Sequence, residues 1–496
     1  MSPKVMWRRV SSAALTTLLI AMVGCVDFEQ EGKKLCQQYP SRCAVIGNTA
    51  PIIIESSQST LYVETESPVT FQVTAQDDQS SSLQFSWVAS TGSLENPQST
   101  KTTSTATWFS SNCAPHGTVT VTVTATDDQD LSASRSFTVS TRPCVRPPLS
   151  SGFQDSFVVR ADGTVWSWGY NGFGQLGDGT SASRHKPIQV PGLSGIIAIA
   201  AGHSHTLALR SDGTVWAWGA NTSGQLGDGT TLDRHAPVQV PALSGITSLA
   251  AGTEHSLAVR SDGTVWGWGS NSAGQLGAGP ETRYLIPIQV SGLSDMTALA
   301  AGTYHSLALR RDGTVWAWGL NASGELGDGS TTPHLTPVQV SGLANIKLLA
   351  AGHSHSLALR VDGTVWAWGN NSWGQLGDGT TTHRLTPVQA LVPSRITTLA
   401  SGASHALAMR NDSELWAWGD NLSGQLGDGT TARRPTPVQV STSSDFISLA
   451  AGNVQSLAMR NDGSLWAWGN NDSGQLGESA SAPHPIPAQV PGITAF

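Results

Sequence analysis

Asp212 to Thr230 reads DGTVWAWGANTSGQLGDGT, and close copies of this stretch recur at a fifty-residue step. DGTVWxWG begins at Asp162, Asp212, Asp262, Asp312 and Asp362, and the pattern returns as DSELWAWG at Asp412 and DGSLWAWG at Asp462. A fixed period of this length marks an array of equal supersecondary units, none of which buries its apolar face alone. Seven such units fill residues 151–496.

One unit, taken residue by residue, predicts four strands. His205 to Arg210 alternates apolar and polar, and Ser211-Asp212-Gly213 supplies the Asp-Gly turn of a tight hairpin. The return strand, Thr214 to Gly219, carries Val215 and Ala217 on one face and Trp216 and Trp218 on the other, so it must be covered on both sides. A glycine-rich loop, Asn221 to Gly229, follows, with Gln225 and Leu226 expected to turn inward. Pro237-Val238-Gln239-Val240 reads as an edge strand, and Ile246 to Gly252 as a fourth strand ending in the small residues required near a common axis. Four antiparallel strands in each of seven units predict an all-β fold, a seven-bladed β-propeller. An open solenoid would need polar capping units, whereas the first and last copies here keep the apolar pattern. Ile493 to Phe496 looks like a spare copy of the fourth strand, and the expectation is that it completes the first blade past Pro147 and Pro148.

DGTVWAWGxNxxGQLGDGT, PVQV and LAAGxxHSLAL resemble the regulator of chromosome condensation repeat across residues 151–496. The resemblance implies the same seven-bladed propeller.

Composition narrows the function. Charged residues are 12% of the chain and the formal net charge is −8, so no basic surface advertises nucleic acid. Of the 18 Trp, 14 belong to the seven WxW pairs, and the Trp content is a property of the repeat.

Residues 1–24 read as an export signal, with Lys4, Arg8 and Arg9 ahead of a short apolar run from Ala13 to Val23. Met22-Val23-Gly24-Cys25 resembles the lipobox of bacterial lipoproteins, which implies lipidation of Cys25 and anchoring in the cell envelope, at the outer membrane or cell surface; an ordinary signal peptide with an incidental Cys is the alternative. Residues 25–50 read as a polar tether. In an oxidising compartment, Cys36, Cys43, Cys113 and Cys144 are expected to form two disulfides. Sequential pairing is the simplest of three connectivities.

Residues 51–142 change to short alternating strands, such as TVTVTVTATDD from Thr118, and predict a small immunoglobulin-like β-sandwich. QFSWVASTG with the later VTVTVTATDDQDLSASRSFTV resembles bacterial domains of the PKD type, which implies Trp87 as the core tryptophan. Asp77, Asp78, Asp127 and Asp128 are expected in solvated turns, with calcium binding at a domain edge as the competing reading. Residues 143–150, rich in proline, read as a linker.

No catalytic constellation, cofactor motif or metal-ligand spacing emerges. His205, His255, His305, His355 and His405 recur at one repeat position, where Asp155 and Gln455 stand in the outer units, and they are expected to pack and hydrogen-bond. His203 and His353 add two H-S-H pairs, with a local metal site as the competing reading. GQLGDGT has neither the Lys-Ser/Thr of a phosphate loop nor a calcium nonapeptide.

A single site on a repeat protein must use residues that depart from the repeat. The departures chosen as binding-face candidates are Phe173, Trp373, Tyr284, Tyr304, Arg234, Arg384 and Arg434, aromatic and Arg residues of the kind that dominate interfaces. Phe173 and Trp373 share one repeat position and are expected on the same face. The reading is a monomeric, envelope-anchored scaffold that binds a protein or glycan. Two alternatives follow from the family resemblance: an inhibitor, like its β-lactamase-inhibiting member in soil bacteria, or a guanine-nucleotide exchange factor for a Ran-type GTPase, which export to an envelope argues against.

Overall fold

The computed structural model describes residues 49–60, 62–63, 69–80, 82–90, 93–109, 118–141, 148–442, 445–479 and 482–496. The chain divides into two units, Met1–Cys144 and Val145–Phe496. Cys25, Cys36, Cys43, Cys113 and Cys144, with the signal, the tether and most of the linker, lie outside the described residues. Every regular element among the described residues is a β-strand, and no helix is long and apolar enough to cross a membrane.

The first unit is a sandwich of two four-stranded sheets. Val69, Phe71, Val73 and Trp108 from one sheet meet Val119, Val121, Val123, Phe137 and Val139 from the other in a single core. The strand Val69–Gln76 alternates buried and exposed residues, as the period of two requires. The central tryptophan is Trp108, fully buried, and not Trp87. Trp87 lies at the margin, where its indole donates to the Ser104 hydroxyl at 2.9 Å. The acidic residues close turns: Asp77 Oδ1 accepts from the amides of Gln79 and Ser80, both at 2.7 Å, and Asp127 Oδ1 accepts from those of Gln129 and Leu131 at 2.9 and 2.8 Å.

The second unit holds seven four-stranded antiparallel sheets. In the second blade the order is Ile196–Ala201, His205–Arg210, Val215–Gly219, Arg234–Gln239. The fourth strand read in each sequence unit therefore becomes the innermost strand of the next blade, Ile246–Ala251 in this case.

The two apolar faces of each blade are used on opposite sides. Leu207, Leu209, Val215 and Ala217 pack with Ile246, Ala258 and Trp268 of the third blade. Ala208 and Trp218 turn the other way, onto Phe157, Val159, Val165 and Leu176 of the first. A large indole against small alanines fills each wedge between blades.

Near the axis only glycine fits. A Cβ on Gly202 would stand 2.4 Å from the Gly252 carbonyl oxygen, and the same approach runs through Gly252, Gly302, Gly352, Gly402 and Gly452 back to Gly152. The ring is closed.

The seam differs from expectation. The innermost strand of the first blade is Leu149–Ser151, which pairs with Ser156–Val158, so the repeats begin inside the stretch read as linker. Residues 493–496 do not form that strand. His484–Thr494 is the long outer strand of the seventh blade, and Ala495 just beyond it accepts the Ala161 amide at 2.9 Å, as Gly195 accepts that of Ser211. Ile493 and Ala495 are buried in the core shared by the seventh and first blades.

Candidate functional site

The recurrent residues are consumed by the scaffold. Trp218 Nε1 donates to the Gln175 carbonyl at 2.7 Å, and each other blade tryptophan repeats the bond to the blade before it. Gln225 and Leu226 are buried, and Asn221 Oδ1 accepts the Leu226 amide at 2.9 Å.

The five histidines form inter-blade bonds. His205 Nε2 lies 2.9 Å from the Ser256 hydroxyl, which itself donates to the Gln225 carbonyl at 2.7 Å, so the ring nitrogen is the donor. Where Ala406 removes the hydroxyl, His355 meets Ser401 instead at 3.0 Å. Complete burial lowers His205, His255, His355 and His405 to about 3 and His305 to about 4. At the seam, Gln455 Nε2 spans to the Ser151 hydroxyl at 2.9 Å. Burial pushes the Asp155 carboxyl well above the carboxylate range, and its Oδ1 accepts the Gly152 amide at 2.9 Å.

Arg234, Arg384 and Arg434 are not free. Each donates through Nε at 2.8 Å to an aspartate six residues earlier, Asp228, Asp378 or Asp428. Burial would raise these carboxyls, but bonds from the following threonine and the arginine outweigh it and hold them below the usual range. The pairs staple the loop between the third and fourth strands. Tyr284 occupies the same slot in the third blade, where Ala278 replaces the aspartate. His334–Asp328 and His484–Glu478, each at 2.8 Å, are the fourth and seventh versions.

Phe173 and Trp373 do share a face. Their amides make the same bond, to Gln175 Oε1 at 3.0 Å and Gln375 Oε1 at 2.9 Å. At this position Ser223 reaches Glu254 of the next blade at 3.2 Å, and Ser473 reaches Gln154 at 3.1 Å. Tyr304 holds the place of Glu254 and Gln154 in its own blade, and so belongs to the same face. Phe173 is 40% exposed and meets Tyr170 edge-on, with ring centroids 6.4 Å apart.

One residue of this face was missed. Arg433 lies over the Trp373 ring, its Cζ 3.5 Å from the centroid, and its Nε is 3.5 Å from Asp420 Oδ1. The signal was available: the position before each loop staple reads Ser183, Asp233, Arg283, Pro333, His383, Arg433 and Pro483, five residue types in seven units. Nearby, Glu325 replaces the repeat's Gln, and burial raises its carboxyl.

Nearer the axis, Phe153 stacks on His203 with centroids 4.1 Å apart. The axial cavity measures about 100 Å³. That is room for about three water molecules. A macromolecular ligand must therefore meet the face and not the tunnel. Among the described residues no group of three or more His, Cys, Asp or Glu is placed to hold a metal ion.

Residues 284–496 match the RCC1-like domain, and residues 162–209 and 212–259 match the regulator of chromosome condensation (RCC1) repeat; a second form of that repeat matches 196–225 and 246–275. The ring is built of RCC1 repeats. Yeast RCC1 (Prp20), solved bound to Kap60, is 25% identical with a TM-score of 0.60, over 70% of this chain and 86% of that one. Prp20p from Saccharomyces cerevisiae, described with its binding to Gsp1p and histones, is 25% identical with a TM-score of 0.59, over 70% and 88%. Human WBSCR16 shares the fold at 22% identity and a TM-score of 0.60, over 66% and 95%.

Proposed function

We propose that this RCC1 propeller is a protein-binding scaffold whose partner docks on the face bearing Phe173, Tyr304 and Trp373. The observation that carries the reading is the division of labour within the repeat. Constant residues are spent on inter-blade bonds and loop staples, while aromatic departures, Phe173 exposed and Tyr304 and Trp373 half-buried, gather on one face. Interfaces draw most of their energy from a few Trp, Tyr and Arg residues. Protein is favoured over glycan because the RCC1 propellers of similar fold are described with protein partners, Kap60 for one and Gsp1p and histones for another. Binding is preferred to catalysis, since the departures pair no nucleophile with a base.

The lipobox-like Met22 to Cys25 supports display from a cell envelope, with the sandwich as a spacer. Cross-linking in native envelopes, followed by capture of the full chain, tests the reading. A partner captured by the native chain and lost with Phe173→Ala plus Trp373→Ala supports it; identical capture by both overturns the choice of face.

A further inference from the structure

Resting on that scaffold reading, we propose that Arg433, held on Trp373, is the point where the partner inserts a carboxylate side chain, an Asp or Glu flanked by apolar residues. The guanidinium lies over the indole, its Cζ 3.5 Å from the ring centroid, and beside Asp420, whose Oδ1 is 3.5 Å from Nε in an ion pair without a hydrogen bond. Among the described residues nothing accepts a hydrogen bond from its two terminal nitrogens, and the side chain is 43% exposed. A planar fork already oriented loses little rotamer freedom on meeting a second planar, two-oxygen group.

Comparison with the other loop arginines isolates the feature. Arg184, Arg234, Arg384 and Arg434 are committed to aspartates within their own loops. Arg283 holds the same repeat position as Arg433, but Ser223 stands where Trp373 lies and Ser270 where Asp420 lies, so it has neither floor nor brace. Among the described arginines of these loops, Arg433 alone is both held and open.

The charge balance selects the guest. Asp420 offsets part of the guanidinium charge and repels a dianionic phosphate about twice as strongly as a monoanionic carboxylate, which favours the carboxylate. Leu422, two residues beyond Asp420 and 60% exposed, offers apolar contact beside the charge.

Selection of random dodecapeptides displayed on phage against the full chain tests this. Peptides enriched by the native chain are expected to carry Asp or Glu beside an apolar residue. Their affinity should fall about tenfold or more when that acid becomes its amide, or when the protein carries Arg433→Gln. Arg433→Lys should recover only part of the loss, and Arg283→Gln none of it, with circular dichroism confirming that each variant is folded. Enrichment without acidic residues, no enrichment over the Arg433→Gln chain, or tighter binding of the matching phosphoserine peptide would overturn the proposal. If the envelope partner is still captured by the Arg433→Gln chain at native strength, the scaffold reading stands and the carboxylate site falls.

Discussion

The indole of Trp168 donates to the carbonyl of Gln475 at 2.9 Å although 307 residues separate them. It is the bond that Trp218 makes to Gln175, at a separation of 43. The junction between the last and first blades is thus chemically an ordinary inter-blade interface, filled by its own apolar cluster.

Trp168→Phe and Trp268→Phe are therefore expected to cost the same, about 1–2 kcal/mol for the lost indole bond and the space left by the smaller ring, while each carbonyl keeps a serine hydroxyl donor. Denaturant unfolding measures it; a much smaller cost at Trp168 would show that the ring opens at the seam first. Removal of residues 493–496 strips Ile493 and Ala495 from the seam core and should lower Tm by several degrees.

Acid should loosen the ring through its histidines. Their folded values near 3 to 4 lie below the ordinary 6.5, so the unfolded chain binds more protons between those limits. Stability is then fully present above pH 6.5 and is lost as pH falls toward 4, by about 1.4 kcal/mol per unit for each histidine. The loop-staple aspartates, held below 3.8, add their loss only at lower pH. His255→Gln should flatten the slope between pH 6.5 and 4.5 by about one proton in denaturant titrations. An unchanged slope would refute the assignment.

The axial glycines set a steric limit. Gly352→Ala places a Cβ 2.5 Å from the Gly402 carbonyl and should prevent or severely weaken folding. Gly192→Ala meets nothing within 4 Å and bears only the strain of its φ of 76°, about 1 kcal/mol. Soluble yield and Tm of the two variants, side by side, make the comparison.

The loop arginines paired with aspartates should matter little to binding. Arg384→Ala breaks a partly buried pair, costing about 1–2 kcal/mol of stability, and leaves partner capture intact, whereas Trp373→Ala removes it. Conversely, Ala278→Asp combined with Tyr284→Arg should install the missing staple and be more stable than either single change. A double-mutant cycle in thermal unfolding reads the coupling.

The propeller was legible because every blade repeats the same solution, so seven weak strand patterns reinforce one another. What the pattern could not carry was context. Ile493 looks like the start of an inner strand, yet in register it takes the place of Leu193, ahead of Ile196, and the missing strand comes from Leu149–Ser151. Trp87 and Trp108 both stand in alternating runs, and only packing of the two sheets chooses between them. The role of Arg234, Arg384 and Arg434 was readable in principle. Asp and Arg recur six residues apart, and both are absent together at Ala278 and Tyr284.

The seam has an evolutionary corollary. Ala495 follows the seventh blade's outer strand and reaches the first blade's hairpin, while Leu149–Ser151 forms that blade's inner strand, so the break in the ring falls between the outer strand of one blade and the inner strand of the next. Duplicating or deleting a whole fifty-residue unit elsewhere leaves both halves of that junction untouched. Blade number is then counted by how many glycine-to-carbonyl contacts close around the axis, and the array is free to exchange whole units, carrying their face residues with them, without inventing a new way to join its ends.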